Sequence, residues 1–260
     1  MKNPLILVTN DDGVDSPGLH AAARAASKVG EVLVVSTRDP QTAMGRSYPK
    51  QPDIGKIADY LLRDENGLRI KAYSVVASPA QAVSYAILEL APRQPDICLS
   101  GINFGENLGT TLTGSGTIGA AFEADSYNIP SLAVSLQVDP LDEPNSTDWS
   151  KAEFFTERLL WQLSRERLPT GISILNVNVP KHAKLDTELR VTIDSRQPYF
   201  VFRKPNRVSN DLPVRLPVTV EFDASVLEKN SDIQAVIIDR VVSITPLSST
   251  LASSVAWKPR

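Results

Sequence analysis

The chain predicts an open α/β fold built on a mainly parallel sheet, and three observations predict it. The apolar run Leu5-Ile6-Leu7-Val8 ends at Thr9-Asn10-Asp11-Asp12-Gly13, a helical stretch opens at Pro17 and closes at Gly30, and a second apolar run, Glu31 to Ser36, follows at once. Strand, helix and strand in that order call for a parallel pair joined by a right-handed crossover. At 260 residues, 42% hydrophobic and 22% charged, the chain can bury a full core, and α/β chains of this length often form one domain.

Leu5 to Thr9 reads as a strand covered on both faces, because apolar residues run without alternation. In the following helix Pro17 suits the first turn, Leu19, Ala22, Ala23, Ala26 and Val29 recur at helical spacing, and Gly30 supplies the stop. A polar loop from Thr37 to about Gly55 leads to a predicted strand, Leu68 to Val75, a helix, Pro79 to Leu90, and a strand, Asp96 to Ser100. Thr117 to Asn128 predicts a helix, Ser131 to Leu136 a strand, Trp149 to Leu168 a long amphipathic helix, and Ile172 to Val179 the strand closing the core, residues 1–180.

From 181 to 260 the pattern turns β-rich, with runs at Leu189 to Ile193, Tyr199 to Phe202, Val214 to Phe222 and Val236 to Thr245, punctuated by Pro198, Pro205, Pro213 and Pro217. This predicts hairpins or arms attached to the sheet and suited to subunit contacts, within one domain spanning 1–260.

Composition removes several function classes. A net charge of −3 gives no general attraction to polyanions, so nucleic acid is not expected as the main ligand. The single cysteine, Cys98, lies in an apolar segment, so neither an internal disulfide nor a cysteine zinc site can form. No apolar run approaches the roughly 18 to 20 residues of a membrane span. Asn10 and Asp11 come too early for a cleavable signal, which predicts a cytoplasmic protein. His20, in the first helix, and His182, in a polar turn, both read as structural, so a histidine phosphatase or a Ser-His-Asp triad has little support.

Asp11 and Asp12 stand at the carboxyl end of the first strand, where open α/β sheets place their chemistry. Adjacent carboxylates repel unless a cation or a shared proton holds them together. Asn-Asp-Asp-Gly is also a good turn, and the two readings are compatible. Thr42, after the second strand, and Asn103, after Asp96 to Ser100, add neutral oxygens at ends that face the same way; either alone reads as an ordinary loop residue. Carboxylate, hydroxyl and amide oxygens together suit Mg²⁺ or Mn²⁺, and the lack of Cys and clustered His disfavours zinc.

Six of the thirteen glycines lie between Gly101 and Gly119. Ser115-Gly116-Thr117 precedes a helix, whose free N–H groups make a phosphate seat; a simple cap by Ser115 or Thr117 is the competing reading. Gly114 to Gly119 also matches G-x-G-x-x-G, with Asp139 about twenty residues on, but more than ten residues separate it from Ser100, so a dinucleotide site ranks low. The Trp and Tyr residues read as packing, with base stacking left open for Tyr199 or Phe200.

With these residues in place, the chain resembles the SurE (survival protein E) nucleotidases. The likeness rests on Leu7 to Gly18, on Ser100-Gly101-Ile102-Asn103-Phe104-Gly105-Glu106-Asn107-Leu108-Gly109, on Ser115-Gly116-Thr117, and on Val242 to Leu247, all in family order. The resemblance implies a Rossmann-like, three-layer α/β/α core with carboxyl-terminal arms. It also implies a phosphomonoesterase acting on nucleoside monophosphates with one divalent ion, Mg²⁺ or Mn²⁺, per subunit, in a homodimer or homotetramer. By position, Asp11, Asp12 and Asn103 fall on the metal ligands, and Asn107, Ser115, Gly116 and Thr117 on the phosphate contacts. Asp11, Asp12 and Asn107 thereby become the catalytic candidates.

The family's remaining ligand is a Ser followed by Gly; here Thr42 and Ala43 stand there. Arg240-Val241 replaces a Gly-Tyr pair, Thr250 an Asp, and the stretch after Asp194 lacks an aromatic, Gly-rich segment. Two competing functions follow: a broad-specificity acid phosphatase or polyphosphatase, and a divergent member that binds nucleotide or phosphate without turnover.

Overall fold

Five consecutive buried residues make β1 (Leu5–Thr9) an interior strand of the sheet in the computed structural model, which describes residues 3–63, 67, 69–211 and 213–250. The elements that follow are α1 (Pro17–Ser27), β2 (Glu31–Thr37), β3 (Ile57–Arg63), β4 (Arg69–Val75), α2 (Pro79–Tyr85), β5 (Ile97–Phe104), α3 (Gly116–Ser126) and β6 (Ser131–Leu136). Then come α4 (Ser150–Leu163), β7 (Ile174–Val179), β8 (Leu189–Val191), β9 (Phe200–Phe202), β10 (Val218–Val220) and β11 (Val242–Leu247).

Among the described residues nine strands form one sheet in the order β3-β4-β2-β1-β5-β6-β7-β11-β8, while β9 and β10 pair as a separate hairpin. From β4 through β7 every pairing is parallel. β3 and β11 run antiparallel to β4 and β7.

Strand alternation splits the core into two layers. Ile6 and Val8 pack with Leu19 and Ala22 of α1 and with Phe155 and Leu159 of α4. Leu5 and Leu7 face the other way, onto Ala82 and Val83 of α2 and Ala120 and Ala124 of α3. This is the predicted helix, sheet, helix architecture. Phe155 is among the largest fully buried side chains, and truncating such a residue to Ala costs about 3–5 kcal/mol.

The chain fills the sheet outward from β1 through β2 to β4, then returns to place β5, β6 and β7 on the opposite side. The strand order therefore reverses between β1 and β5. Open α/β sheets bind ligands beyond the carboxyl ends of the strands at such a point, and Asp11 follows β1 while Asn103 lies at the end of β5.

Several boundaries differ from expectation for identifiable reasons. β3 was read as no element, because it is an edge strand with mostly exposed or half-buried side chains and carries no clear period. α2 stops at Tyr85 and continues as a wider π turn, Ala86–Leu90. α4 stops at Leu163, five residues short of the predicted end, where the polar run Ser164 to Arg167 and then Pro169 offer no apolar face and no continuation. The run from Val236 to Thr245 is half helical: Gln234–Ile238 forms a π turn, Arg240 reverses the backbone at φ 57°, and only then does β11 begin.

β5 runs past Ser100 to Phe104 through a register shift, so Asn103 belongs to the strand's own end rather than to the loop after it. The first residue of the predicted strand at 68 and the carboxyl-terminal arm from 251 to 260 lie outside the described residues. Among the described residues no helix is long and apolar enough to cross a membrane.

Candidate active site

The turn after β1 divides its work between residues. Asn10 is fully buried, accepts from the Ser36 hydroxyl and donates through Nδ2 to Gly13 O at 3.2 Å, while Val14 N–H reaches Thr37 O at 2.9 Å. Asn10 thus shapes the turn, and the two aspartates project from it.

Asp11 is buried; its Oδ1 accepts from Thr117 Oγ1 at 2.7 Å. Asp12 Oδ2 accepts from Phe104 N–H at 3.0 Å. The Asp11 carboxyl also draws on its own backbone N–H. Burial pushes both carboxyls well above the ordinary carboxylate range, and for Asp11 the charge of Asp12 pushes further. No Lys or Arg enters the balance at either residue. A buried and a half-buried carboxylate side by side with no countercharge fit a divalent cation, whose charge would reverse this penalty. A set of three or more His, Cys, Asp or Glu is absent among the described residues, so the further ligands must be neutral oxygens.

Two neutral oxygens are at hand. Asn103 Nδ2 donates to Gly105 O at 2.7 Å, which fixes the carboxamide and leaves its Oδ1 to be presented. Thr42 follows Gln41, whose N–H bonds Asp11 O at 2.7 Å, so its loop is tied to the backbone of the first aspartate. The Thr42 side chain is exposed and its hydroxyl engages no described residue.

α3 holds that loop from the other side. Gly45 N–H bonds Gly114 O at 3.0 Å, and a Cβ on Gly119 would fall 2.1 Å from Gly45 O, so only glycine permits the approach. Arg46 Nε reaches Glu123 Oε2 at 2.8 Å, and Ser84 Oγ donates to the other oxygen of that buried carboxylate at 2.7 Å.

The start of α3 carries the phosphate seat in altered form. Ser115 Oγ caps the helix by accepting Ile118 N–H at 3.2 Å, its own N–H is spent on Leu112 O at 3.1 Å, and the Thr117 hydroxyl is spent on Asp11. The N–H groups of Gly116 and Thr117 keep no acceptor among the described residues. A Cβ on Gly116 would come within 2.7 Å of Asp11 Oδ2, so glycine here serves the approach of the carboxylate rather than that of a pyrophosphate. Gly116 and Gly119 of the G-x-G-x-x-G match are accounted for by this contact and by packing on Gly45, while nothing lies within 4 Å of a Cβ on Gly114.

Asn107 lies beyond β5, with Nδ2 donating to Ser135 Oγ at 2.8 Å and its backbone gripped by Asn176 and Asn178. The sequence reading missed Ser135, Asn176 and Asn178. The available signal was Asn-Val-Asn in a strand otherwise apolar, which sets two amides on one buried face. It also missed Glu106, which is buried and accepts from Tyr199 OH at 2.6 Å. Tyr199 is buried beneath Phe200 and Phe222, so it is no platform for a base.

The description "Survival protein SurE" belongs to the family model that matches residues 6–200. The chain is a member of the SurE family. It is 42% identical over 193 residues to the 5'-nucleotidase SurE of Methanothermobacter thermautotrophicus, covering 72% of this chain and 71% of that protein. The 5'-nucleotidase SurE of Thermococcus kodakarensis is 36% identical over 256 residues, covering 97% and 95%. The solved SurE protein from Aquifex aeolicus superposes with a TM-score of 0.71 at 25% identity, over 96% of this chain and 95% of that one.

Two departures from the SurE pattern now have a physical reading. Ala43 and Arg240 stand where the pattern has glycine, and both adopt left-handed backbone, φ 60° and φ 57°. The chain keeps the conformation that glycine favours and accepts strain of about 1 kcal/mol at each position.

Proposed function

We propose that this SurE chain is a metal-dependent 5'-nucleotidase, a phosphomonoesterase that converts nucleoside 5'-monophosphates to nucleoside and phosphate. One observation carries the reading: a buried aspartate and a half-buried one, without countercharge, stand against the start of a helix with two uncommitted N–H groups. The names of the relatives support the same activity.

Asp11, Asp12, Thr42 and Asn103 would hold one Mg²⁺ or Mn²⁺, which when bound supplies positive charge and Lewis acidity toward the phosphate. The N–H groups of Gly116 and Thr117, at the positive end of the α3 dipole, receive phosphoryl oxygens. Asn107 offers its carboxamide as a further donor. Phosphoryl transfer depends chiefly on such positioning and charge stabilisation. In the hydrolysis a water oxygen bonds to phosphorus and the bond to the ribose oxygen breaks. An aspartate of the pair orients the water and takes its proton, and that proton passes to the departing ribose oxygen.

The reading treats 1–180 and 181–260 as one domain, since β11 and β8 continue the core sheet. It places the chain in the cytoplasm as a homodimer or homotetramer, supported by the exposed apolar side chains of the β9–β10 hairpin, Phe202, Val218 and Val220.

A non-catalytic reading rested on Thr42-Ala43. The left-handed backbone at Ala43 weighs against it, because the loop is formed despite the lost glycine. Phosphate release from a panel of nucleoside 5'- and 3'-monophosphates, polyphosphate and p-nitrophenyl phosphate, with Mn²⁺ and with EDTA, tests the proposal. Metal-dependent release favouring 5'-monophosphates supports it. Binding without release, or turnover indifferent to EDTA, refutes it.

A further inference from the structure

The Gly105 to Gly109 loop leaves β5 and crosses the carboxyl ends of β6 and β7, where side chains treat Asn107 as if it belonged to another strand. Asn178 Oδ1 accepts Asn107 N–H at 2.8 Å and Asn178 Nδ2 donates to Asn107 O at 3.0 Å, so one amide replaces both bonds of an antiparallel pair. Asn176 Nδ2 adds a bond to the same carbonyl at 3.1 Å. Beside them, Ser135 Oγ accepts from Asn107 Nδ2 at 2.8 Å.

Ser135 and Asn178 are register partners and fully buried, and Ser135 is also in register with Asn103. Asn103, Ser135 and Asn178 therefore form one row across three strands. The far end of the loop is pinned from the carboxyl-terminal extension, where Asp232 Oδ2 accepts Gly109 N–H at 2.8 Å.

A carboxamide nitrogen carries two N–H bonds in one plane. With one given to Ser135 and the backbone held by Asn178, the plane is fixed and the second N–H has a set direction. We propose that Ser135 and Asn178 are positioning residues, which act through Asn107 to aim its free N–H at the phosphoryl group. The proposal rests on the phosphomonoesterase reading for its consequence, while its geometry is testable without turnover.

A double-mutant cycle reads it: Ser135→Ala, Asn107→Ala and the double variant, assayed for phosphate release at saturating Mn²⁺, with Mn²⁺ affinity measured by calorimetry. Ser135→Ala is expected to lower kcat/KM about tenfold, a typical cost of misplacing one contact, with Mn²⁺ affinity unchanged. The double variant should be no slower than Asn107→Ala alone, and Ser135→Thr, which restores the hydroxyl, should recover activity. Additive losses, full activity in Ser135→Ala, or weakened Mn²⁺ binding in that variant would overturn it.

Hydrogen exchange of the Asn107 side-chain amide supplies the readout independent of turnover. Slow exchange in the wild type and fast exchange in Ser135→Ala support the positioning even if no nucleotide is hydrolysed; fast exchange in both overturns it.

Discussion

Asp11 and Asp232 are both aspartates whose carboxyls are pushed up by burial and by a second carboxylate, yet the donors around them differ. Asp232 accepts N–H groups from Gly109 at 2.8 Å, Ser195 at 2.9 Å and Ile233 at 2.7 Å, and so ties three segments of the chain together. Asp11 has one hydroxyl, from Thr117, beside its own N–H, and a second carboxylate as its neighbour. The carboxyl-terminal region meets the needs of its buried charge from the backbone. Between β1 and β5 that need is left open, and the open need marks the candidate site.

Exchanging charge for amide at each aspartate sharpens this contrast most. Asp11→Asn is expected to lower metal-dependent phosphate release by about 10³-fold or more, the scale of losing an electrostatic anchor in phosphoryl transfer. Asp232→Asn turns an amide N–H toward a backbone N–H. Chemical denaturation should then record a loss of about 1–3 kcal/mol, the cost of a buried donor left unpaired. If Asp232→Asn costs activity without stability, the division of roles is wrong.

The next test is pH. Burial raises the Asp11 carboxyl to about 7 from the ordinary 3.8, and Asp12 also rises, so the folded metal-free protein keeps protons that the unfolded chain has released. The fold binds more protons in that interval, so this pair's contribution to stability falls as pH rises from about 4 to about 7. Mn²⁺, which binds the deprotonated pair, should flatten that fall, and Asn at position 11 should reduce it; melting curves with EDTA and with Mn²⁺ measure both. An unchanged pH slope in Asp11→Asn would remove the uncompensated pair from the account.

Smaller effects fall on the loop after β2. Ala43→Gly should raise stability by about 0.5–1 kcal/mol by relieving left-handed strain, read as a higher Tm. Thr42→Ser keeps the oxygen and removes a methyl, so Mn²⁺ affinity should stay within about threefold, whereas Thr42→Ala should weaken it further.

Legibility in the sequence follows the same division. Asp11 and Asp12 could be read because two like charges at the end of an apolar strand demand an explanation, and the two-layer core because its strands and helices keep their periods. The sequence places Asn103 in the loop after the strand, whereas it lies inside β5, since the register shift after Ser100 leaves no local trace. Ser115 to Thr117 reads as a phosphate seat or a simple cap; Ser115 Oγ does accept Ile118 N–H as a cap, and the Thr117 hydroxyl donates to Asp11.

Ser135, Asn178, Glu106 and Asp232 escaped because their partners, Asn107, Tyr199 and Gly109, lie between 28 and 123 positions away. β3 escaped because an edge strand with few buried side chains carries no pattern to read.

Calorimetric titration of Mn²⁺ into the metal-free protein tests the central claim most directly. The account predicts one ion per chain in the wild type and in Asp232→Asn, and none in Asp11→Asn. Equal binding in Asp11→Asn, or no binding in the wild type, would contradict it.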